Sequence, residues 1–316
     1  MVGLSMLPTL QWNAMNVIQL DQISKTFGLG NGSTNALNGV TLNVPKGEFL
    51  VIMGPSGSGK SSLLNIIGLL DQPDEGEYKL DGHDVAFLSQ RRRAKIRRNH
   101  IGFIFQNFNL IGRMNILENV SLPLLYRGVS TLKRYERASE ILKYLGIQEK
   151  EYYLPNQLSG GQLQRAAIAR AMVNRPSIVL ADEPTGNLDT AATKIIMAAL
   201  KEIHAAGNTI VMVTHNPDLA AYGDRVIKMI DGKIDEEFIG TSITKELEEQ
   251  RKEAAEIVET ATNNAIEAKR SQSMMGKVGS SKMQKAKSKK TPAVKSNVDK
   301  KRTATKKTPV KRKANK

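Results

Sequence analysis

The stretch from Phe49 to Leu70 constrains this chain more than any other. Phe49-Leu50-Val51-Ile52-Met53 is a short unbroken apolar run, the pattern of a strand buried on both faces. It passes directly into Gly54-Pro55-Ser56-Gly57-Ser58-Gly59-Lys60-Ser61, and helical periodicity takes over from Ser62 to Leu70. The glycines allow the backbone to curl around a compact anion with its N–H groups facing inward, and the helix start that follows presents the positive end of its dipole. A fold built around this segment must put a strand, a tight turn and a helix N-terminus in line.

Other stretches fit the same scheme. Val17–Leu20 and Gly39–Val44 have strand patterns parted by Gly, Asn and Pro. Val129–Leu145, Leu163–Val173 and Ala191–Ala205 have helical spacing, while Ile178–Ala181 and Thr209–Val213 are buried strands. Strands alternating with helices predict an α/β fold with a mainly parallel sheet and ligands at the strand ends. At 316 residues the chain can bury a full core, and with no cysteine it has neither disulfides nor thiolate metal sites.

The glycine segment matches the phosphate-binding P-loop, in the strand-loop-helix setting that the motif requires. Gly54, Pro55, Ser56, Gly57, Ser58, Gly59 and Ser62 are then expected to surround the phosphates of ATP. Lys60 would reach the β and γ phosphates, and the Ser61 hydroxyl would ligate Mg²⁺. Ile178 to Glu183 is an apolar strand ending in two adjacent carboxylates, a Walker B arrangement. Asp182 is positioned to hold the Mg²⁺ shell and Glu183 to orient and deprotonate the attacking water.

Leu158-Ser159-Gly160-Gly161-Gln162 distinguishes among P-loop families, because it resembles the signature motif of ABC ATPases. The resemblance runs from about Val17 to Phe238. It implies a RecA-like core, an antiparallel β subdomain near the N-terminus and a helical subdomain from about Asn107 to Val173. It also implies that residues 158–162 bind the γ-phosphate of ATP held on the P-loop of a second cassette, so that two copies dimerise around two MgATP. Phe27 takes the place of the aromatic that stacks on adenine, the alternative being a core aromatic. Gln106 resembles the glutamine that touches Mg²⁺ or the attacking water, Asp189 belongs to the loop that crosses the dimer interface, and His215 resembles the switch histidine at the γ-phosphate.

Gly102 to Leu110, Glu118-Asn119-Val120 and Leu122-Pro123-Leu124 are similar to the branch holding macrolide exporters, lipoprotein-release complexes and the cell-division ABC ATPase. The implied partner is a transmembrane permease, which places the cassette on the cytoplasmic face of the membrane. The competing expectation is a soluble ABC ATPase acting on nucleic acid or ribosomes.

The formal charge of +15 favours that competitor only until its location is considered. Residues 269–316 hold 18 Lys and Arg against Asp299 alone, a net of +17, which leaves −2 for residues 1–268. The Lys-rich segment 269–316 is expected to be disordered, with anionic lipid or nucleic acid as candidate partners. Residues 239–268 have the composition of a helical extension, and residues 1–16 that of a flexible leader and a poor signal peptide. No apolar run approaches the roughly 18–20 residues of a membrane helix.

Overall fold

The computed structural model describes residues 16–28 and 32–239. All of these lie in the first of two units, Met1–Arg251 and Lys252–Lys316. Apart from Asn16 and Ile239, the expected leader, helical extension and Lys-rich tail fall outside the described residues.

Two sheets organise the chain. β1 (Asn16–Phe27), β2 (Thr34–Pro45), β4 (Glu75–Leu80) and β5 (His83–Asp84) form an antiparallel sheet in the order β2-β1-β4-β5. The second holds β3 (Phe49–Met53), β6 (Ile101–Phe105), β7 (Ile178–Asp182), β8 (Thr209–Val213), β9 (Arg225–Ile230) and β10 (Lys233–Ile239), in the order β10-β9-β3-β8-β7-β6. Only β10 runs antiparallel in it.

The unbroken apolar runs follow from burial on both sides. Phe49 and Val51 of β3 point into one core with Val179, Ala181, Ile210 and Met212. Leu50 and Ile52 point into the other with Ile178, Leu180, Val211 and Val213. The first core is closed by α3 (Ile116–Tyr126), α4 (Thr131–Tyr144), α5 (Gly160–Met172) and α6 (Thr190–Ala205), and the second by α1 (Lys60–Ile67) and the antiparallel sheet.

The expected helices begin and end close to their capping residues. α1 stops at Gly68 because its last carbonyl, Ile67 O, accepts from the fully buried Tyr78 hydroxyl at 2.7 Å and the chain turns at Leu69, φ 56°. α5 starts at Gly160, three residues before its apolar periodicity does, because Ser159 and Gln162 form a reciprocal capping box. Two helices do not show in the apolar periodicity. α2 (Gln90–His100) buries no residue, and α3 contains Pro123, which cannot donate within the helix.

α3 is anchored by a buried amide. Asn119 Oδ1 accepts from Ile111 N at 2.7 Å, while Nδ2 donates to the carbonyls of Ile111, Met114 and Asn115 at 3.0–3.1 Å. Residues 111–115, which lead into α3, therefore take their shape from one wholly buried side chain. Replacing it orphans several backbone groups, each costing about 1–3 kcal/mol. Asn119→Ala should lower unfolding stability in urea by about 3 kcal/mol, and a loss below about 1 kcal/mol would mean that the amide is not the anchor.

Candidate functional site

The glycine loop sits at the C-terminal end of β3, beside the ends of β7 and β8. Two of its glycines are demanded by space as well as backbone angle. A Cβ on Gly54 (φ 149°) would lie 2.2 Å from Met229 O, and one on Gly59 (φ 96°) 2.3 Å from Ala36 O. The loop is tied to the β9–β10 turn by Gly232 N donating to Ser58 O at 3.1 Å. No side chain caps α1, so the loop itself faces the first amides of that helix.

Lys60 is buried and donates to Gly54 O at 2.9 Å and Pro55 O at 2.7 Å. Burial holds its pKa down, opposed by the charges of Glu183 and Asp182. Ser61 is exposed on the first turn of α1, and Ser62 beside it is half-buried.

Asp182 ends β7, in register with Phe105 of β6 and Val213 of β8. Burial pushes its carboxyl pKa up, the neighbouring Glu183 adds to the shift, and Lys60 opposes it. Glu183 leaves the sheet in the left-handed region, φ 46°, with its N–H donating to Val213 O at 2.9 Å. Such a conformation costs a non-glycine residue of order 1–3 kcal/mol and characteristically occurs at functional sites. It turns the carboxylate toward the next strand, where Oε2 lies 2.7 Å from His215 Nδ1. A cavity of about 430 Å³ opens beside this pair and is lined also by Gly186 and Leu188.

Among the described residues no group of three or more His, Cys, Asp or Glu could hold a metal ion. The donors near the loop are hard oxygens, the Asp182 carboxylate and the Ser61 hydroxyl. Such a set fits Mg²⁺, which takes few protein ligands and completes its shell with phosphate and water.

A second group of residues surrounds Gln106, directly after β6. Asn187 Nδ2 donates to Gln106 O and Asn107 Oδ1, both at 3.1 Å, and the Gln106 side chain lies over Gly186, where a Cβ would be 2.8 Å from Nε2. Leu158 is half-buried and Ser159 exposed. A Cβ on Gly160 would stand 3.3 Å from Leu188 Cδ2, and one on Gly161 3.0 Å from Ala192 Cβ. Asp189 caps α6 by accepting from Ala192 N at 2.8 Å. Among the described residues no hydrogen bond joins 158–162 to the glycine loop of the same chain. Phe27 is not a core aromatic: its ring is about half exposed, 47%, with the Lys25 ammonium 5.5 Å from its centre.

Two contributors escaped the sequence reading. Gln164 is wholly buried and donates from Nε2 to Pro184 O at 2.6 Å, joining α5 to the segment after Glu183. Arg170 donates to Phe108 O at 2.9 Å and to Asn109 O, whose residues both have positive φ, 58° and 50°. The available signal was a polar residue in a buried stripe, since Gln164 shares its helix face with Ala167, Ile168 and Ala171. Arg170 had no such signal.

Comparison with known proteins agrees with this arrangement. The family model described as ABC transporter matches residues 37–186. The chain is 45% identical over 218 residues to the uncharacterized ABC transporter ATP-binding protein YknY of Bacillus subtilis, covering 69% of this chain and 95% of that one. It is 50% identical over 218 residues to the macrolide export ATP-binding/permease protein MacB of Chlorobium luteolum, but there it spans 69% of this chain and only 33% of the relative. Among solved structures, the dimeric post-hydrolysis cassette MJ0796 bound to ADP and Pi matches with TM-score 0.67 and 46% identity, covering 70% of this chain and 98% of that one.

The raised pKa of Asp182 has a consequence for stability. The folded chain takes up the Asp182 proton at higher pH than the unfolded chain. Nucleotide-free stability therefore falls as pH rises from the ordinary aspartate range through the raised value, and it stays lower at neutral pH. Asp182→Asn should raise the melting temperature of the nucleotide-free chain at pH 7.5 by about 2 °C while removing the stabilisation by MgATP. A melting temperature that falls in the absence of nucleotide would contradict this account.

Proposed function

The chain belongs to the ABC transporter family of ATP-binding proteins, and on that basis we propose that it binds and hydrolyses ATP as one half of a two-cassette motor driving a membrane permease. The observation that carries the reading is the 2.7 Å contact of Glu183 with His215, placed by a strained backbone next to Asp182 and the glycine loop.

In this reading the 54–59 amides and Lys60 bind the polyphosphate, and the exposed face of Phe27 stacks on adenine. Ser61, Asp182 and Gln106 would hold Mg²⁺, which would supply positive charge against the phosphate oxygens. Glu183 accepts the proton of the attacking water, and His215 fixes the rotamer of that carboxylate from Nδ1 while facing the γ-phosphate. The exposed Ser159 hydroxyl and the amides that start α5 make a second helix N-terminus suited to phosphate, which completes the site of another copy. The dimeric MJ0796 cassette supports two copies.

Gln106 is tied to Gly186 and Asn187 in the loop after Glu183, so a change in that loop on hydrolysis would be passed through it to the permease. Relatives covered over 94–95% of their length carry the cassette by itself, which supports a permease on another chain at the cytoplasmic face of the membrane.

Glu183→Gln should lower turnover at least ~100-fold while MgATP still drives a dimer visible by gel filtration; a wild-type rate would remove Glu183 from its role. Completion in trans has its own check. Lys60→Ala and Ser159→Arg chains, each inactive, should regain about a quarter of wild-type ATPase when mixed equally, because half the dimers then hold one intact site of two. No recovery on mixing would place both motifs in one site.

A further inference from the structure

Phe27 has a place in the nucleotide site but no apolar packing to hold it there. It is about half exposed, belongs to neither apolar core and sits at the last position of β1. β1 pairs with β4 only as far as Ser24, opposite Glu75. Residues 25–27 keep β2 alone as a ladder partner, and that ladder shifts register on both sides of Lys25. A strand end bulged in this way, and paired along one edge, does not by itself fix the direction of an exposed ring.

Residues 71–74 supply polar contacts along the other edge. Asp74 Oδ2 accepts from Thr26 N at 2.7 Å, and Asp74 N donates to Ser24 O at 2.9 Å. The Lys25 ammonium, on a side chain only 12% exposed, donates to Gln72 O at 2.7 Å, Asp74 Oδ1 at 3.2 Å and Asp71 Oδ1 at 3.3 Å. All of its donors are thereby used, and it stands 5.5 Å from the centre of the Phe27 ring. The Thr26 N–H holds the Asp74 carboxyl below the usual aspartate range, with Lys25 adding to the shift against burial, so this strap is charged at neutral pH. Exposed ion pairs stabilise a fold little, and three acceptors converging on one ammonium fix a geometry instead.

The strap is tied in turn to the phosphate end of the site. Leu70 N and Asp71 N both donate to Asn65 O, at 2.9 and 3.2 Å, and Asn65 lies on α1, the helix that begins at Lys60. From the other side, Asn35 of β2 faces Thr26, and the next residue, Ala36, brings its carbonyl against Gly59. Phe27 and the glycine loop are thus joined by a closed circuit through α1, residues 71–74, the end of β1 and the start of β2.

We propose that Asp74 and Lys25 are positioning residues for the nucleobase, their strap setting the direction of the Phe27 ring relative to the glycine loop so that base and phosphates are gripped at one fixed separation. The assignment rests on the stacking of adenine on Phe27 proposed above and adds what holds the ring in place. A ring held before the nucleotide arrives loses less freedom on binding, and the gain applies only to ligands that carry a base. A strap that served the fold alone would favour no ligand over another.

The test uses the full chain with Mg²⁺ and compares ADP, which carries the base, with inorganic pyrophosphate, which lacks it, by calorimetric titration. Asp74→Ala should weaken ADP about threefold or more while leaving pyrophosphate binding unchanged. In ATPase assays its loss should fall on KM more than on kcat. Phe27→Ala should weaken ADP by at least as much, and adding Asp74→Ala to it should cost nothing further, because the ring through which Asp74 acts is gone. Asp74→Asn can give its one oxygen to Thr26 N or to Lys25 but not to both, and it is read by the same criteria should the alanine variant not fold. A smaller loss for ADP, an equal loss for pyrophosphate, a loss confined to kcat, or a further loss in the double variant overturns the proposal. Two failures separate on the single variants. Phe27→Ala without effect on ADP removes the stacking reading and the strap's role with it, whereas an effective Phe27→Ala beside a silent Asp74→Ala removes the strap's role alone.

Discussion

Every feature of the site depends on three parallel strands ending level with one another. β3, β8 and β7 are neighbours in the sheet, and their last residues deliver the glycine loop, His215 and the two carboxylates to one edge. The register comes from the two-faced core. A one-residue slip of β7 would exchange Val179 and Ala181 with Ile178 and Leu180 between the two cores and turn Asp182 to the opposite face. Hydrophobic packing thus positions the polar chemistry without making any polar contact itself.

The strand ends impose an electrostatic cost. Asp182 and Glu183 are adjacent acids, and the first is pushed toward protonation by burial and by its neighbour. Lys60 opposes the Asp182 shift and is itself held down by burial. Two adjacent acids beside one ammonium and the His215 ring make a partly desolvated pocket suited to a divalent cation arriving with a nucleotide. The backbone strain at Glu183 has the same character: it stabilises nothing in the nucleotide-free chain and aims a carboxylate.

Around this edge, polar side chains join the loops that would have to move together. Gln164 connects α5 to Pro184, Asn187 connects the loop before α6 to Gln106 and Asn107, and Arg170 holds the turn at Phe108 and Asn109. Each donates to at least one backbone carbonyl, so the linkage senses loop position more than side-chain identity. The signature segment, the Gln106 loop and the acidic pair are thereby mechanically continuous within one copy, although the signature segment shares no hydrogen bond with the glycine loop of that copy.

Much of this was legible in the amino-acid order, wherever local physics sufficed. The buried runs of β3, β7 and β8, the glycine loop, the acidic pair after β7 and the Ser159–Gln162 cap are all properties of residues close in sequence. Motif order then carried the fold class and the family. What stayed hidden needed partners far apart in the chain. Gly54 and Gly59 are obligatory because Met229 O and Ala36 O approach them, and Asn119, Gln164 and Arg170 matter through carbonyls that only packing brings near. The helix at Gln90–His100 was hidden for the opposite reason, since it has no apolar stripe to reveal it. The sequence by itself determined which chemistry this chain carries. Tertiary structure alone decided which backbone atoms hold that chemistry in place, because those depend on contacts between strands and helices that no local pattern encodes.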